Sequence, residues 1–220
     1  MKTPLSRRAW ALKLSAGALL LLGCIGWFGG ALPLIHKPAW ISSNTQLPLG
    51  DLQSVALDSK GRIYCGLAFY SRIQVYDEQG RFLRGWWVDA GGGMLRLHVA
   101  EGDRLEVEAV RRDRIFTFDP NGHLIESNQE TETQREVFDR RDQLAAADAR
   151  GRTFAIRNRL FWPHVVREDQ AGQTTVVSTP WYLWPIMGPF PAFMFFAVGI
   201  VTLGLTAVRR PRLIAGGRRA

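Results

Sequence analysis

The sequence predicts a mainly β domain of repeated four-stranded units, flanked by two transmembrane α-helices. Three features of the 220-residue chain predict this arrangement: two long stretches without charge near its ends, alternating apolar and polar residues between them, and basic residues concentrated outside the two stretches. Uncharged stretches of this length are typical of helices that cross a bilayer, and period-two alternation is typical of strands with one buried face.

The distribution of charge argues against a nucleic-acid-binding protein, although the whole chain carries a net charge of +8. Residues 32–180 contain all 20 acidic residues but only 19 of the 28 basic residues, so this part of the chain is close to neutral. A nucleic-acid interface would need a basic patch on the folded domain. Only four of the basic residues are lysines, and such a preference for arginine is typical of GC-rich bacterial genomes.

The two uncharged stretches cover residues 14–35 and 181–208, and each is long enough to cross the hydrocarbon core of a bilayer as a helix. Basic residues precede the first stretch and follow the second, and such residues are retained on the cytoplasmic side. The lipid bilayer is therefore an expected partner. The predicted order is a cytoplasmic basic segment 1–13, a transmembrane helix 14–35, an exported domain 36–180, a second transmembrane helix 181–208 and a cytoplasmic basic tail 209–220.

Two other interpretations of the first stretch involve export signals. The sequence Leu-Leu-Gly-Cys that ends at Cys24 resembles a bacterial lipoprotein signal, in which Cys24 would be lipidated, and Arg7 with Arg8 resembles a twin-arginine signal. The residues after Cys24 stay apolar as far as residue 35, which favours an uncleaved anchor. Within this anchor, Gly26 and Gly30 form a GxxxG pair that would let a second helix approach closely.

An internal repeat with a period of 42 residues organises the exported domain. Residues 72–83 match residues 114–125 in the pattern R-I-x-x-aromatic-D-x-x-G-x-apolar-apolar, and a weaker third copy begins at Asp148. Asp favours the start of a turn and Gly supplies positive φ, so these two residue types mark the hairpin turns. The predicted turn residues are Asp77, Gly80, Asp119 and Gly122.

Each unit reads as four short strands, and a four-stranded repeat of about 40 to 50 residues is typical of a β-propeller blade. The expected fold of the exported domain is therefore propeller-like. A polar linker at residues 126–143 is predicted to be an exposed excursion with a helical turn near residues 135–141. The three units cover about residues 52–93, 94–128 and 144–178.

The first unit resembles an NHL-type propeller repeat. The resemblance is carried by V-A-L-D-S-K-G-R-I-Y at residues 55–64 and S-R-I-Q-V-Y-D-E-Q-G-R-F-L at residues 71–83. It implies a binding platform, or an enzyme scaffold in some relatives. Because propellers typically have about 4 to 8 blades, three units do not close a ring. Either two chains form a six-bladed ring, or the domain is a smaller assembly covered by its own linker or by another protein.

No residue pattern indicates catalysis, a metal or a cofactor. The four histidines are isolated from one another, and no HExxH, CxxC, G-x-S-x-G or P-loop pattern occurs. Glu106 and Glu108 alternate with apolar residues and therefore lie on one face of a predicted strand. Such a pair could serve acid–base chemistry or bind a cation, but we expect a solvated strand face that faces Arg111, Arg112 or Arg114.

The segment after the first unit is the candidate partner-binding site. Two tryptophans are followed by three consecutive glycines and a methionine, a combination that predicts a mobile loop beside exposed aromatic rings. The candidate residues are Trp86, Trp87, Gly91, Gly92, Gly93 and Met94.

These features predict an integral protein of a bacterial inner membrane. Its expected function is that of a non-enzymatic binding or assembly module for another envelope protein, or for a second copy of itself. Two alternatives stay open: a sensor or regulatory subunit that binds a small ligand, and an envelope enzyme with an unrecognised site. A ligand-dependent rise in Tm would indicate the former, and loss of an activity on substitution of His98 or Glu106 would indicate the latter.

Overall fold

The computed structural model describes residues 7–36, 41–158, 162–186 and 189–208. The predicted cytoplasmic tail and the first six residues of the chain lie outside these ranges. Within them, three four-stranded antiparallel sheets confirm the prediction of a mainly β domain made of blade-like units. The helices are α1 (Arg7–His36), α2 (Glu132–Asp139) between the second and third sheets, and α3 (Pro189–Val208).

In each sheet the four strands are neighbours in chain order, which is the up-and-down arrangement of a propeller blade. Sheet A contains β1 (Leu52–Leu57), β2 (Ile63–Leu67), β3 (Arg72–Tyr76) and β4 (Phe82–Trp87). Sheet B contains β5 (Leu95–Ala100), β6 (Arg104–Ala109), β7 (Arg114–Phe118) and β8 (Leu124–Gln129). Sheet C contains β9 (Ala145–Ala147), β10 (Thr153–Arg157), β11 (His164–Asp169) and β12 (Gly172–Ser178).

Sheet A lies between sheets B and C, because both of its faces are apolar. In β2, Ile63 and Cys65 join the core shared with sheet C, whereas Tyr64 joins the core shared with sheet B. Alternate residues of a strand point to opposite faces, so a continuous apolar run buries both. Sheet C, the last in sequence, returns to the free face of sheet A, and β1 contacts both β5 and β9.

The sheets have two distinct ends. The far end carries the turns that follow β1, β3, β5, β7, β9 and β11, and polar contacts there join Ser59 to Asp103 and Glu78 to Arg150. The helix end is the opposite end, where β1 begins and β12 ends before the chain continues to α3. The β2–β3 and β6–β7 turns and the β4–β5 connection also lie at the helix end, because strand direction alternates.

Helix α2 packs against β5 on the face of sheet B that points away from sheet A. In β5, Leu95 and Leu97 face sheet A, so Arg96 and His98 face the other way. Phe138 of α2 is 1% exposed and its ring lies edge-on to the His98 ring, with the centroids 6.3 Å apart. The predicted exposed linker therefore contains a helix that packs on a sheet.

Helices α1 and α3 pack against each other in antiparallel directions. A Cβ atom at Gly23 would lie 2.9 Å from the Ala192 carbonyl oxygen, and one at Gly199 would lie 2.8 Å from Cγ of Leu20. Leu20 of α1 contacts Gly199, whereas Gly23, further along α1, contacts the earlier residue Ala192 of α3. The two helices therefore run in opposite directions. Small residues at both crossings let the two backbones approach closely.

Among the described helices, α1 is long and apolar enough to cross a membrane, judged by the length and composition of Trp10–Phe28. A signal sequence near an N-terminus has the same properties. The apolar segment of α3, Pro191–Thr206, is shorter.

Candidate functional site

The two tryptophans of the candidate site are half-buried and pack on opposite faces of sheet A. The Trp86 ring contacts Tyr64 and Phe118 in the core shared with sheet B, with centroid distances of 6.4 Å and 5.7 Å. The Trp87 ring lies under the guanidinium of Arg72, 4.9 Å from Cζ to the ring centroid. The structure thus assigns both rings to packing, in contrast to the exposed aromatic pair expected from the sequence.

The rest of the candidate site forms an exposed loop at the helix end. Gly91 and Gly92 adopt positive φ angles of 61° and 73°, which glycine tolerates without strain. Met94 is 46% exposed, and its carbonyl accepts a 3.2 Å hydrogen bond from the Val110 N–H. A Cβ atom at Gly93 would lie 2.4 Å from Cβ of Arg111, so the loop lies directly against the β6–β7 turn.

Loop and turn together form one surface, named here the helix-end patch and defined as Gly91, Gly92, Met94, Arg111 and Arg112. Both arginines are exposed, and Arg112 pairs with Asp89 at 3.2 Å. Each partner of this pair is more than half exposed, so solvent screens the pair and it contributes little to stability. The patch combines an apolar tip with two exposed guanidinium groups.

Two buried polar residues of β3 form hydrogen bonds that attach the segment after α1 to sheet A. The Arg72 side chain is fully buried and donates hydrogen bonds to the Ser42 and Thr45 carbonyls, at 2.8 Å and 3.1 Å. Gln74 is equally buried and exchanges two hydrogen bonds with the Leu47 backbone, at 2.8 Å and 2.9 Å. Burial lowers the pKa of Arg72 to about 10, which leaves the guanidinium charged at neutral pH. Sequence analysis missed both residues, although polar residues at alternate positions of an apolar strand are a usable signal.

A second contact joins the two segments that lead to the long helices. The Leu49 N–H donates a 2.8 Å hydrogen bond to Oγ1 of Thr179, across 130 residues of sequence. Both residues are buried. The chain therefore enters and leaves the β domain at one place, where the segment before β1 contacts the segment after β12.

The predicted turn residues lie in turns at the far end. Asp77 Oδ1 accepts hydrogen bonds from the N–H groups of Gln79 and Arg81, and Gly80 has a φ of 80°. The same geometry recurs at Asp119, with the N–H groups of Asn121 and His123 at 2.8 Å. It recurs again at Asp58 and Asp148. These aspartates satisfy backbone donors, so their role is structural.

Local hydrogen bonds lower the pKa values of Asp77, Asp119 and Asp148 and so favour their ionised forms. At Asp119, partial burial opposes the charged form, but hydrogen bonds from the His123 N–H, the His123 ring and the Asn121 N–H outweigh it and hold the pKa at about 2. Gly122 in the same turn has a φ of 90°, and a Cβ atom there would lie 2.5 Å from the Trp86 ring. This turn therefore needs glycine for two independent reasons.

The expected solvated face at Glu106 and Glu108, directed at the arginines of residues 111–114, is wrong, because Glu108 is buried. Strand register places Glu108 opposite Ile115, so the neighbouring Arg114 points to the other face of the sheet. Arg96 on β5 lies opposite Glu108 instead, with 3.4 Å between Nη1 and Oε2. Burial raises the pKa of Glu106, with Arg104 opposing and Glu126 adding to the effect.

Helices α1 and α3 approach each other closely at a glycine outside the predicted Gly26–Gly30 pair. Gly26 is buried, and the burial of Gly30 is outside what the structure describes. Gly23, one turn earlier, makes the tight contact with α3. An apolar groove of about 440 Å³ adjoins this contact and is lined by Cys24, Trp27, Phe193 and Phe196 among others.

Within the described ranges, no three side chains of His, Cys, Asp or Glu come together as metal ligands. Cys65 is fully buried, and this burial raises the pKa of its thiol, so the side chain is an apolar packing group and not a nucleophile.

No protein-family model and no curated protein matches this chain. Among solved structures it is similar to a streptogramin B lyase, with 11% identity over 61% of this chain and 43% of that one and a TM-score of 0.35. It is also similar to virginiamycin B lyase from Staphylococcus aureus, with 8% identity, the same coverage and a TM-score of 0.34. A third is Kuenenia stuttgartiensis hydrazine synthase, with 13% identity over 61% of this chain and 36% of that one and a TM-score of 0.34. The chain spans less than half the length of each, and scores this low say nothing about its activity.

Proposed function

We propose that this chain is a two-pass protein of a bacterial inner membrane whose exported β domain binds another membrane-anchored envelope protein through the helix-end patch. The observation that carries the proposal is the position of the patch. Its exposed groups lie at the same end of the sheets as both connections to the long helices. A partner that reaches them must itself lie close to the bilayer.

The antiparallel pair of α1 and α3 supports the two-pass arrangement. Both helices are largely apolar, and α3 contains no charged residue. Trp181 and Tyr182, just before α3, are 78% and 63% exposed, as expected for an aromatic belt at the outer surface of a membrane. In this arrangement both termini are cytoplasmic and residues 36–180 are exported.

The fastening of the β domain supports a role in assembly. Hydrogen bonds from Arg72 and Gln74 hold the segment after α1 against sheet A. The Leu49 N–H donates to Oγ1 of Thr179, which joins this segment to the one that leads to α3. A domain fixed in this way presents the patch at a constant height above the membrane. Such preorganisation favours the binding of a partner because less conformational freedom is lost on association.

The position of α2 favours a different protein over a second copy as the partner. A six-bladed ring of two chains would require sheet B of each chain to pack against sheet C of the other. Helix α2 occupies that face of sheet B, and the face itself carries the polar side chains Arg96, His98 and Glu108. Helix α2 thus occupies the outer side of sheet B, at one end of the row of three sheets.

Site-specific photo-cross-linking in cells tests the proposal. A photoreactive residue at Met94, in the patch, is expected to give a defined adduct with one membrane-anchored protein. The same residue at Gln79, which is exposed at the far end, is the matched control and should give none. Adducts at position 79 but not at 94 would contradict the proposal, as would adducts of equal yield at both positions.

A further inference from the structure

Two carboxyl groups meet in the contact between α2 and sheet B. Glu108 lies on β6 and Glu130 directly precedes the N-terminal cap of α2, and their side chains are only 2% and 1% exposed. The Glu130 carboxyl lies beside that of Glu108 and interacts with it. Ionised carboxylates only accept hydrogen bonds, so a direct hydrogen bond between these two groups would require a proton on one of them. Oε1 of Glu130 has no partner among the N–H and O–H donors of the described residues.

The arginines at this contact do not balance its acidic groups. Arg96 pairs with Glu108 at 3.4 Å but also with Asp139 at the end of α2. Arg135 pairs with Glu130 at 2.8 Å and with Asp113 at 3.3 Å. Two guanidinium groups therefore face four carboxyl groups, and two of the four are buried. A bound proton reduces this excess of negative charge at low cost.

The surroundings of Glu108 favour its protonated form. Burial is the main cause, Arg96 opposes it, and Glu130 and Asp139 add to it, which together raise the pKa of Glu108 to about 7. A carboxyl whose pKa is raised in the folded state is stabilising while protonated. That contribution declines as the pH rises from the ordinary carboxyl range through 7.

We propose that α2 is a proton-dependent clasp: a proton shared between Glu108 and Glu130 holds residues 130–139 on the polar face of sheet B, and loss of that proton releases them. The attachments on either side of the pair are the Phe138–His98 contact and the Arg96–Asp139 ion pair. Release would uncover a sheet face that no other sheet covers. The inference does not depend on the proposed membrane topology.

His98 gives the clasp a lower pH limit. Burial and the nearby Arg141 lower the pKa of His98, and its Nδ1 has no hydrogen-bond partner in the described part of the chain. A group with a lowered pKa opposes folding once acid forces it to charge. The clasp is therefore most stable at pH values above the lowered pKa of His98 and below the pKa of Glu108, which is about 7.

Hydrogen–deuterium exchange of the full-length protein in detergent micelles measures the clasp directly. From pH 6 to pH 8, after correction for intrinsic exchange rates, the protection of amides in residues 132–139 is expected to fall by about ten-fold. Amides of sheets A and C should keep their protection. Equal protection of α2 at both pH values would overturn the proposal, and so would a parallel loss of protection in all three sheets.

Two variants and one control separate the proton from simple packing. Glu108→Gln keeps a hydrogen-bond donor towards Glu130 at every pH, so α2 should stay protected at pH 8. Glu130→Gln should have the same effect and provides a second test if the first variant folds poorly. Glu126→Gln, at an exposed position on β8, should retain the response of the unmodified protein. A pH response that persists in both of the first two variants would refute the shared proton.

Discussion

Arg72 and Arg114 show how residues at one position of a repeat acquire different roles. Each begins the R-I-x-x-aromatic-D motif of its unit. Arg72 is fully buried between sheet A and the segment after α1, whereas Arg114 is exposed at the start of β7. The motif determines the strand and its turn. The segment that packs against the strand determines whether the arginine is buried.

Replacement of Arg72 by Met should destabilise the β domain by about 2–4 kcal/mol. The substitution leaves the carbonyls of Ser42 and Thr45 buried without their donor and removes the stacking on Trp87. Urea unfolding of the full-length protein, followed by tryptophan fluorescence, measures the loss. Arg114→Met is the matched control at the same motif position and should change the stability by less than about 0.5 kcal/mol. Equal effects of the two substitutions would show that the buried hydrogen bonds are unimportant.

At the scale of single elements, the packing of α2 and of the two long helices was harder to predict than their existence. The linker was expected to be exposed with a helical turn near residues 135–141, and a capping box formed by Thr131 and Gln134 starts a helix there. The single apolar contact of that helix, Phe138, is buried on sheet B. A single buried ring is a weak signal in sequence, because hydrophobic periodicity needs several positions to be recognised.

Gly23→Leu should separate α1 from α3, since even a Cβ atom at this position meets the Ala192 carbonyl at 2.9 Å. The native Cys24 and a cysteine introduced at Phe193 line the same groove and report the distance between the helices by cross-linking. We expect the yield to fall at least about five-fold with Gly23→Leu. Gly17→Leu is the control, because nothing lies within 4 Å of a Cβ atom there. An unchanged yield with Gly23→Leu would contradict the packing.

At the scale of the whole molecule, the order of the sheets decides the shape of the assembly. The chain makes sheets A, B and C in sequence, but in space sheet A is central and the array is open between B and C. The connection from B to C carries α2 and also contributes Gln143, whose carbonyl oxygen accepts from the Val55 N–H and whose side chain accepts from the Leu97 N–H. Through Gln143, the linker thus connects β1 of sheet A with β5 of sheet B.

The purified full-length protein should contain one chain per detergent particle when no partner is present. Helix α2 occupies part of the face of sheet B that ring closure between two chains would need, through its contacts with His98 and Arg96 of β5. Light scattering coupled to size-exclusion chromatography, corrected for bound detergent, gives the number of chains. A two-chain particle in which α2 has lost its protection from exchange would instead support a six-bladed ring.

The sequence by itself determined the repeated four-stranded units, their turn residues and the uncharged segments at both ends, because strand alternation, turn chemistry and apolar length are local properties. Only the tertiary structure decided that Trp86 and Trp87 are packing residues, that Glu108 lies beside Glu130, and that Gly23 is the close approach of the helices. These contacts join residues from different elements, so no local pattern in the sequence specifies them. The physical reason is burial: the same residue types are exposed or buried according to what packs on them.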